Sequence, residues 1–365
     1  MTEKEAWDKA YDRIFDLYGD MPDLRIVNRF YSEKQALMQY DVGKYFYDLA
    51  RLRREAAEAG ERLIAKNVVG SCLVAYLLGA TDENPLPAHY YCPRCKAVVW
   101  TEGGCVLDLQ GRTCACGERM KPDGFDIPHE AYVPYAKRLT TADIAPESRQ
   151  QPFDPTLSHF QSSLFDTANA CKRLEMATGA CVDSISLNDL EVKRRLLTGN
   201  FEKLASVGGE KTIKHMITLT HPQTYNELLK LIGLAHGTCT WRHNAEHLLA
   251  DEICSLSAIP TTRDEVFTTI RAAMRDCDFH DTGFAFDVSN KARRGYYQKH
   301  GMDDYTNGTL KMLGIDDWFV SYIRATQYMS TKALAVLELK YSIILNWYQV
   351  YYPREYRMIM ADYNV

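Results

Sequence analysis

Two close pairs of cysteines constrain the fold of this 365-residue chain more than any other feature. Cys92 and Cys95 lie in YCPRCK, and Cys114 and Cys116 lie in TCACGER. Four thiolates at this separation can surround one metal ion tetrahedrally, which is typical of structural zinc sites. The pattern therefore predicts a zinc ribbon in which these four cysteines hold Zn²⁺ on a short, hairpin-like stretch.

The second pair is one residue tighter than the usual Cys-x-x-Cys spacing. Cys105, or a rearranged turn, therefore stays open as an alternative to Cys114. A metal-free cluster of reduced thiols is the competing interpretation. It is disfavoured because a loop-rich segment has too little apolar area to fold without a metal.

Composition places the chain among ordered proteins. Its apolar content is 46%, which is enough for two domains with cores of their own. The N-terminus is charged, and no apolar run is long enough to span a bilayer, so we expect a soluble, cytoplasmic protein. The other seven cysteines stand singly, and we expect most of them to be buried.

Net charge sets a limit on nucleic-acid binding. At −5 the chain lacks a global positive field that would attract a phosphate backbone, so any DNA binding must be local. The basic stretches are residues 51–54, 193–195 and 291–294. Each of them, taken alone, is typical of a solvated helix face.

Periodicity predicts helices over most of the chain. One apolar stripe comprises Trp7, Ala10, Tyr11, Ile14 and Leu17, and a second segment begins at Leu24 after the break at DMP. Further helices are predicted within residues 48–66, 224–237, 265–276 and 330–352, with loops and small strands over 84–126. Residues 140–155, which are polar and rich in proline, form the best linker candidate.

The segments that flank the cysteines resemble a known family. GSCLVAYLLGATDENPLPAHYYCPRCK (70–96) and KPDGFDIPHEAY (121–132) resemble the zinc-containing region of the PolC-type bacterial replicative DNA polymerase, a C-family enzyme. YGDMPDLRIVNRFYSEKQAL (18–37) resembles its entry into the thumb. HPQTYNELLKLIGLAHGTCTW (221–241) and residues 316–363 resemble its fingers. The resemblance is colinear and extends over most of the chain.

This resemblance implies a mainly α, α+β fold made of polymerase parts. Residues 1–87 would form a thumb/palm-like remnant and 88–126 the zinc ribbon. Residues 127–154 would be residual palm and linker, and 155–365 a PolC fingers-like helical domain.

The resemblance also implies that catalytic chemistry is missing. Nucleotidyl transfer needs two divalent cations held by carboxylates. Where the family has three aspartates, this chain has Asp143, Ala145 and Gln161, and 15 residues lie between the last two. No catalytic sheet fits into that interval, so we expect no catalytic residues and a pseudo-enzyme. In the alternative, Glu147 and Asp154 join Asp143 as new ligands in a minimal polymerase.

The nucleotide-binding segments of the family are altered as well. Its glycine- and serine-rich phosphate loop corresponds to AKNVVGSC (65–72), which keeps Lys66, Gly70 and Ser71. Its P-K-A-H-A-A-A-Y segment corresponds to residues 331–338, which keep only the lysine, Lys332. Contacts to an incoming nucleotide are therefore in doubt.

The functional expectation is a polymerase mimic that acts by binding. Its partner would be a replication protein, such as a component of a host replisome, or primed DNA, and it would modulate or inhibit replication. A phage or mobile element of a low-GC Gram-positive bacterium would be a natural source. The competing class is a DNA-binding subunit of another assembly, which would use the basic fingers residues Lys291, Arg293, Arg294 and Lys332. A decayed fragment is disfavoured because its apolar stripes are intact.

Histidines and tyrosines give weaker signals. His243 and His247 lie four residues apart, but Glu246 is misplaced for a zinc-protease motif, so these two and His236 are interpreted as surface or capping residues. Tyrosines crowd the last 30 residues together with Trp347. A base-stacking surface or a protein interface is possible there, but a helical core and its rim are favoured.

Overall fold

The computed structural model describes residues 1–64, 69–132, 162–205, 209–281 and 283–362, with side chains from residue 167 onward in the third range. Contacts divide the chain into two compact units. Unit 1 comprises Met1–Lys193 with Lys340–Val365, and unit 2 comprises Arg194–Leu339. Helices predominate and one three-stranded sheet is present, which confirms the mainly α, α+β prediction. The polymerase-like domains at 1–87, 88–126, 127–154 and 155–365 stay a prediction.

Unit 1 begins with four helices that share one core. They are α1 (Glu3–Tyr18), α2 (Leu24–Leu37), α3 (Val42–Glu58) and α4 (Leu73–Leu78). A capping box between Thr2 and Glu5 starts α1 and satisfies its first backbone N–H groups. The predicted stripe on α1 is buried at Trp7, Ala10 and Ile14, which pack into this core. Tyr11 and Leu17 only flank it, because they lie at the edge of the buried face.

Helix α3 is shifted toward the N-terminus relative to the prediction of a helix through residues 48–66. It begins at Val42 and ends at Glu58, and Gly60 follows in the left-handed region with φ +83°. A glycine in this conformation is a common helix terminator. Arg53 of this helix is not solvated, because it donates to the carbonyls of Leu63 and Gly79.

The sheet has strand order β2-β1-β3 and is antiparallel throughout. Its strands are β1 (His89–Tyr91), β2 (Val98–Trp100) and β3 (Lys121–Asp123). His89 of β1 pairs with Trp100 on one side and with Asp123 on the other. The expectation of small strands within residues 84–126 is therefore confirmed.

Four further helices lie in unit 1 or cross its boundary with unit 2 along the sequence. They are α5 (Ser162–Thr178), α6 (Leu190–Leu197), α15 (Lys332–Tyr351) and α16 (Pro353–Met360). Within unit 1, α5 packs against α16. Pro353 stops α15 because it cannot continue the hydrogen-bonding ladder, and it occupies the start of α16, where proline is well tolerated.

Unit 2 is helical in its described residues, and helices α6 and α15 contribute residues to it. Its own helices are α7 (Glu210–Thr220), α8 (Tyr225–His236), α9 (Glu246–Ala250), α10 (Arg263–Asp276), α11 (Phe284–Arg293), α12 (Tyr296–His300), α13 (Asp304–Met312) and α14 (Asp317–Ala325). Thr224 and Glu227 form a capping box at the start of α8. The predicted helices over 224–237, 265–276 and 330–352 are confirmed with small shifts of their ends.

Burial corrects one expectation and confirms another. Of the seven single cysteines, three are buried and one is half-buried, but Cys181, Cys239 and Cys277 are exposed, so most of them are not buried. The C-terminal tyrosines do form a core with a rim, because Tyr341, Tyr348 and Tyr356 are buried whereas Tyr351 is 48% exposed. None of the described helices is long and apolar enough to cross a lipid bilayer.

Candidate metal centre and nucleic-acid interface

The first cysteine pair lies in the turn between β1 and β2. Cys92 directly follows β1, and its backbone N–H donates to the carbonyl of Ala97 at 2.9 Å. Lys96 closes the turn in the left-handed region, with φ 64°, and its N–H donates to the carbonyl of Cys92. This tight turn places Cys92 and Cys95 on one side of the hairpin.

The second pair lies in a turn that accommodates its short spacing. Cys114 N–H donates to the carbonyl of Glu118, and Gly117 N–H donates back to the carbonyl of Cys114. Gly117 has φ +86°, a conformation that glycine adopts without steric cost. With only Ala115 between them, both thiols therefore face the first pair.

All four sulfur atoms lie within 4.8 Å of one another. Cys92 Sγ is 3.5 Å from Cys116 Sγ, and Cys95 Sγ is 3.4 Å from Cys114 Sγ. Tetrahedral zinc with Zn–S bonds of about 2.3 Å separates its sulfur ligands by about 3.8 Å, so the donor set fits one such ion. These four cysteines could hold a metal, and Cys105 is not part of the group.

The local backbone favours the thiolate form at Cys92. Although desolvation raises the pKa of the Cys92 thiol, the backbone N–H groups of Cys95 and Arg94 outweigh that effect and lower the pKa to about 6. The Cys95 N–H lies 3.4 Å from Cys92 Sγ. Because the thiolate is the form that binds metals, the lowered pKa of Cys92 favours metal binding by this turn.

The ribbon has little apolar support of its own. Its buried cluster consists of Tyr90, Cys92 and Met120, flanked by a few half-buried groups that include Cys114 and Cys116. Two of its contacts reach the end of α1 and the start of α2. Lys96 Nζ donates to the carbonyl of Asp16 in the last turn of α1 at 2.6 Å, and Trp100 Nε1 donates to the carboxylate of Asp23, which caps α2, at 2.9 Å. These two contacts anchor the ribbon to the helices of unit 1.

The predicted DNA-binding residues lie on two segments of unit 2. Lys291 of α11 forms an ion pair with Asp287 at 2.6 Å, and Arg293 lies 5.9 Å from the centre of the Tyr328 ring. The backbone N–H of Lys332 donates to Asp264 at the start of α15. Arg294 is exposed, whereas the other three are half-buried. Their role in DNA binding stays a prediction.

The histidines separate into two kinds. His243 and His247 are exposed and stacked, with ring centres 5.8 Å apart, in agreement with the surface interpretation. His236, the last residue of α8, is different because its Nδ1 lies 3.1 Å from the fully buried carboxylate of Glu338. This pairing raises the pKa of His236 through its hydrogen bond to Glu338. Sequence spacing gave no signal for this pair, whose members are about a hundred residues apart.

No protein-family model matches the chain. Curated proteins do match over nearly all of it. The "DNA polymerase III PolC-type" of Caldanaerobacter subterraneus subsp. tengcongensis is 24% identical over 478 aligned positions, which cover 97% of this chain and 34% of that protein. The proteins of the same name from Streptococcus thermophilus and Staphylococcus aureus are 23% and 22% identical, also over 97% of this chain.

The chain is a relative of PolC-type DNA polymerase III. It spans about a third of the length of these curated relatives. The alignment is also longer than the chain: 478 positions that cover 97% of 365 residues must include more than a hundred at which the relative has a residue and this chain has none. This chain is therefore also shorter than the aligned polymerase within the matched region.

The described residues do not include Asp143, Ala145 or Gln161. These are the positions at which the resemblance places the carboxylates of PolC polymerases. Glu147, Asp154 and the predicted linker over 140–155 also lie outside the described residues. Elsewhere in the described side chains, the four cysteines form the one group of three or more metal-ligating residues.

The segment over residues 65–72, which the resemblance matched to the phosphate loop, is partly described. Residues 65–68, which include Lys66, lie outside the described part. Gly70, Ser71 and Cys72 are buried in this PolC relative, and the Ser71 carbonyl accepts a hydrogen bond from Arg29. The side chain of Glu33 accepts from the first two N–H groups of α4 and fixes the start of that helix.

Proposed function

We propose that this PolC relative is catalytically inactive and acts by binding to a replication protein or to primed DNA, thereby modulating replication. The observation that carries the proposal is the internal shortening. More than a hundred aligned positions of the relative have no counterpart in this chain, and only 15 residues separate Ala145 from Gln161. A palm sheet that carries three metal-binding carboxylates needs more chain than this interval provides.

The chemistry of the substituted residues agrees with this proposal. Two-metal phosphoryl transfer requires carboxylates that hold both cations against the attacking and leaving oxygens. Alanine at 145 offers no ligand, and the amide of Gln161 is a poor ligand for hard divalent cations compared with a carboxylate. Asp143 alone would not hold two ions.

We further propose that Cys92, Cys95, Cys114 and Cys116 bind Zn²⁺ in a structural role. Four sulfur donors with no oxygen among them favour zinc over the hard cations used in phosphoryl transfer. A closed set of four protein ligands leaves no position for a substrate, which is the mark of a structural site. The ion would supply the stability that the small apolar cluster of the ribbon does not.

The scaffold that remains is suited to binding. The relatives are named as DNA polymerases, and residues 18–37, 221–241 and 316–363 of this chain resemble the thumb entry and fingers of that family. A DNA-binding subunit of another assembly is the second candidate, favoured by the basic segment over residues 291–294 in unit 2. The two candidates differ in how binding responds to salt.

Primer extension tests the inactivity directly. The full chain is incubated with a primed template, four deoxynucleotides and Mg²⁺ or Mn²⁺, and we expect no extension product. Asp143→Ala is the matched control. Incorporation that this variant abolishes would overturn the proposal.

Binding assays separate the two candidates. Affinity for primed DNA that falls steeply with salt favours the DNA-binding subunit, because neutralised phosphates release counterions. Salt-insensitive capture of a replication protein favours the polymerase mimic. A chain that binds neither would contradict both.

A further inference from the structure

We propose that the corner between α11 and α12 in unit 2 binds single-stranded nucleic acid, with Tyr296 as the platform on which a base stacks. This inference rests on the proposed function, because it names the class of nucleic acid and the site that would bind it. It depends on residues that the sequence patterns did not single out, namely Tyr296, Lys299 and His300.

The backbone of the corner is fixed by a close approach. Gly295 has φ +64°, and a Cβ there would lie 2.3 Å from the carbonyl oxygen of Gln327, so only glycine fits. The two tyrosines that follow the turn differ in burial. Tyr297 is 2% exposed and anchors α12, whereas Tyr296 is 45% exposed. An aromatic ring is therefore presented to solvent by a rigid support.

Cationic and aromatic groups surround that ring. The His300 ring lies 4.6 Å from the Tyr296 ring with an interplanar angle of 38°, and Lys291 Nζ lies 5.6 Å from the Tyr296 ring centre. His300 and Lys299 are exposed. The arrangement combines a stacking surface with positive charge, the two features that single-strand-binding proteins use.

The charge of the segment differs from that of the whole chain. Residues 288–302, VSNKARRGYYQKHGM, contain four lysines and arginines, one histidine and no carboxylate, although the net charge of the chain is −5. Asp287 holds Lys291 in an ion pair and Asp303 borders the segment, so the exposed Lys299 contributes the positive charge beside the ring. Such a local excess of positive charge can attract a phosphate backbone even to a protein whose net charge is negative.

Single strands fit the corner better than duplexes. A single exposed ring can stack only on a base that is not already stacked on both of its faces, and bases of a single strand are free to do so. In a duplex both faces of each base are covered.

The test uses the full chain and a fluorescein-labelled 20-residue oligothymidylate, with binding followed by fluorescence anisotropy at low salt. We expect Tyr296→Ala to weaken binding about tenfold, because stacking on one aromatic ring contributes about that much per base. Tyr296→Phe, which keeps the ring, should bind within about twofold of the wild type. Tyr31→Ala, which removes a ring of similar exposure from α2 in unit 1, is the matched control and should bind normally.

A salt series adds an independent readout. Lys299→Gln should flatten the dependence of log affinity on log salt by about one phosphate contact. Thermal melting of each variant verifies that it is folded. Equal affinities of the wild type and Tyr296→Ala would overturn this proposal, as would a wild type that does not bind the oligonucleotide. Neither result bears on the proposed inactivity, which primer extension tests separately.

Discussion

Gly19 lies so close to Lys96 that a Cβ added at residue 19 would come within 2.9 Å of the Lys96 Cβ. Gly19 ends α1 with φ +80° and ψ −179°, a region that other residues rarely adopt. Lys96, in turn, closes the cysteine turn and donates to the carbonyl of Asp16. The two residues together set the position of the ribbon on the first helix.

Replacing Gly19 by alanine should therefore destabilise unit 1. We expect a loss of about 2 kcal/mol from backbone strain and from displacement of Lys96. Urea unfolding followed by circular dichroism measures it. Gly60→Ala is the control, because Gly60 has a similar φ of +83° but a Cβ added there would have no neighbouring atom within 4 Å. Equal losses for the two variants would show that the contact with Lys96 contributes nothing.

The buried ion pair between Lys340 and Glu83 supports a second prediction. Their charged atoms are 2.9 Å apart, with side chains 14% and 5% exposed. Lys340→Met leaves the Glu83 carboxylate buried without its partner and should cost about 3–5 kcal/mol. Adding Glu83→Met should restore most of that loss, because two apolar side chains replace the pair. Denaturant unfolding of both variants measures this, and additive losses would contradict it.

Protonation of His236 should make part of the stability depend on pH. Its pKa is raised in the folded state by the hydrogen bond to Glu338, so the stabilisation is fully present below the unfolded pKa of about 6.5. It is lost as the pH rises through the higher folded pKa. The stability difference between the wild type and His236→Gln should therefore shrink from pH 6 to pH 9, as measured by urea unfolding.

His129 affects the pH dependence of stability in the opposite direction, so its contribution must be the same in all variants that are compared. Burial, with a contribution from Arg29, lowers the pKa of His129 in unit 1, so His129 disfavours the folded state as the pH falls below about 6.5. Comparing variants at each pH cancels this effect. A His236→Gln difference that stays constant with pH would refute the assignment.

Metal content should distinguish the candidate ligands. We expect one zinc ion per chain by elemental analysis, and Cys114→Ser should lower zinc retention during dialysis against a chelator. Cys105→Ser should retain the metal, because Cys105 is not part of the four-sulfur group. Chelation should also lower the thermal stability of the wild type, since metal binding contributes to folding in small ribbons. Retention by Cys114→Ser together with loss by Cys105→Ser would reverse the assignment.

Local patterns predicted the regular parts of this fold well. The stripe through Trp7, Ala10 and Ile14 is buried, and the helix that begins at Tyr225 starts at the capping box of Thr224 and Glu227. The cysteine spacing predicted that the two pairs meet, although it left Cys105 open as an alternative to Cys114. The stripe, the capping box and each cysteine pair are signals that lie within a few residues of one another, so each could be interpreted locally.

Long-range pairing was not predictable. Arg53 belongs to a basic stretch interpreted as solvated, yet it pairs with Asp82 at 2.6 Å. Lys193 similarly pairs with Asp108 at 2.6 Å. The same limit applies to His236 and Glu338, whose contact depends on how α8 and α15 pack. A periodic pattern specifies which face of a helix is apolar, but it does not specify which charged group from a distant segment lies beside it.

The turn through Cys114 and Cys116 has a consequence for recognising similar proteins. A search that demands two residues between both pairs of cysteines would pass over this ribbon, although its four sulfur atoms lie within 4.8 Å of one another. The left-handed glycine that follows, Gly117, compensates for the missing residue. Shortened cysteine pairs followed directly by glycine are therefore worth including when divergent members of metal-binding families are sought.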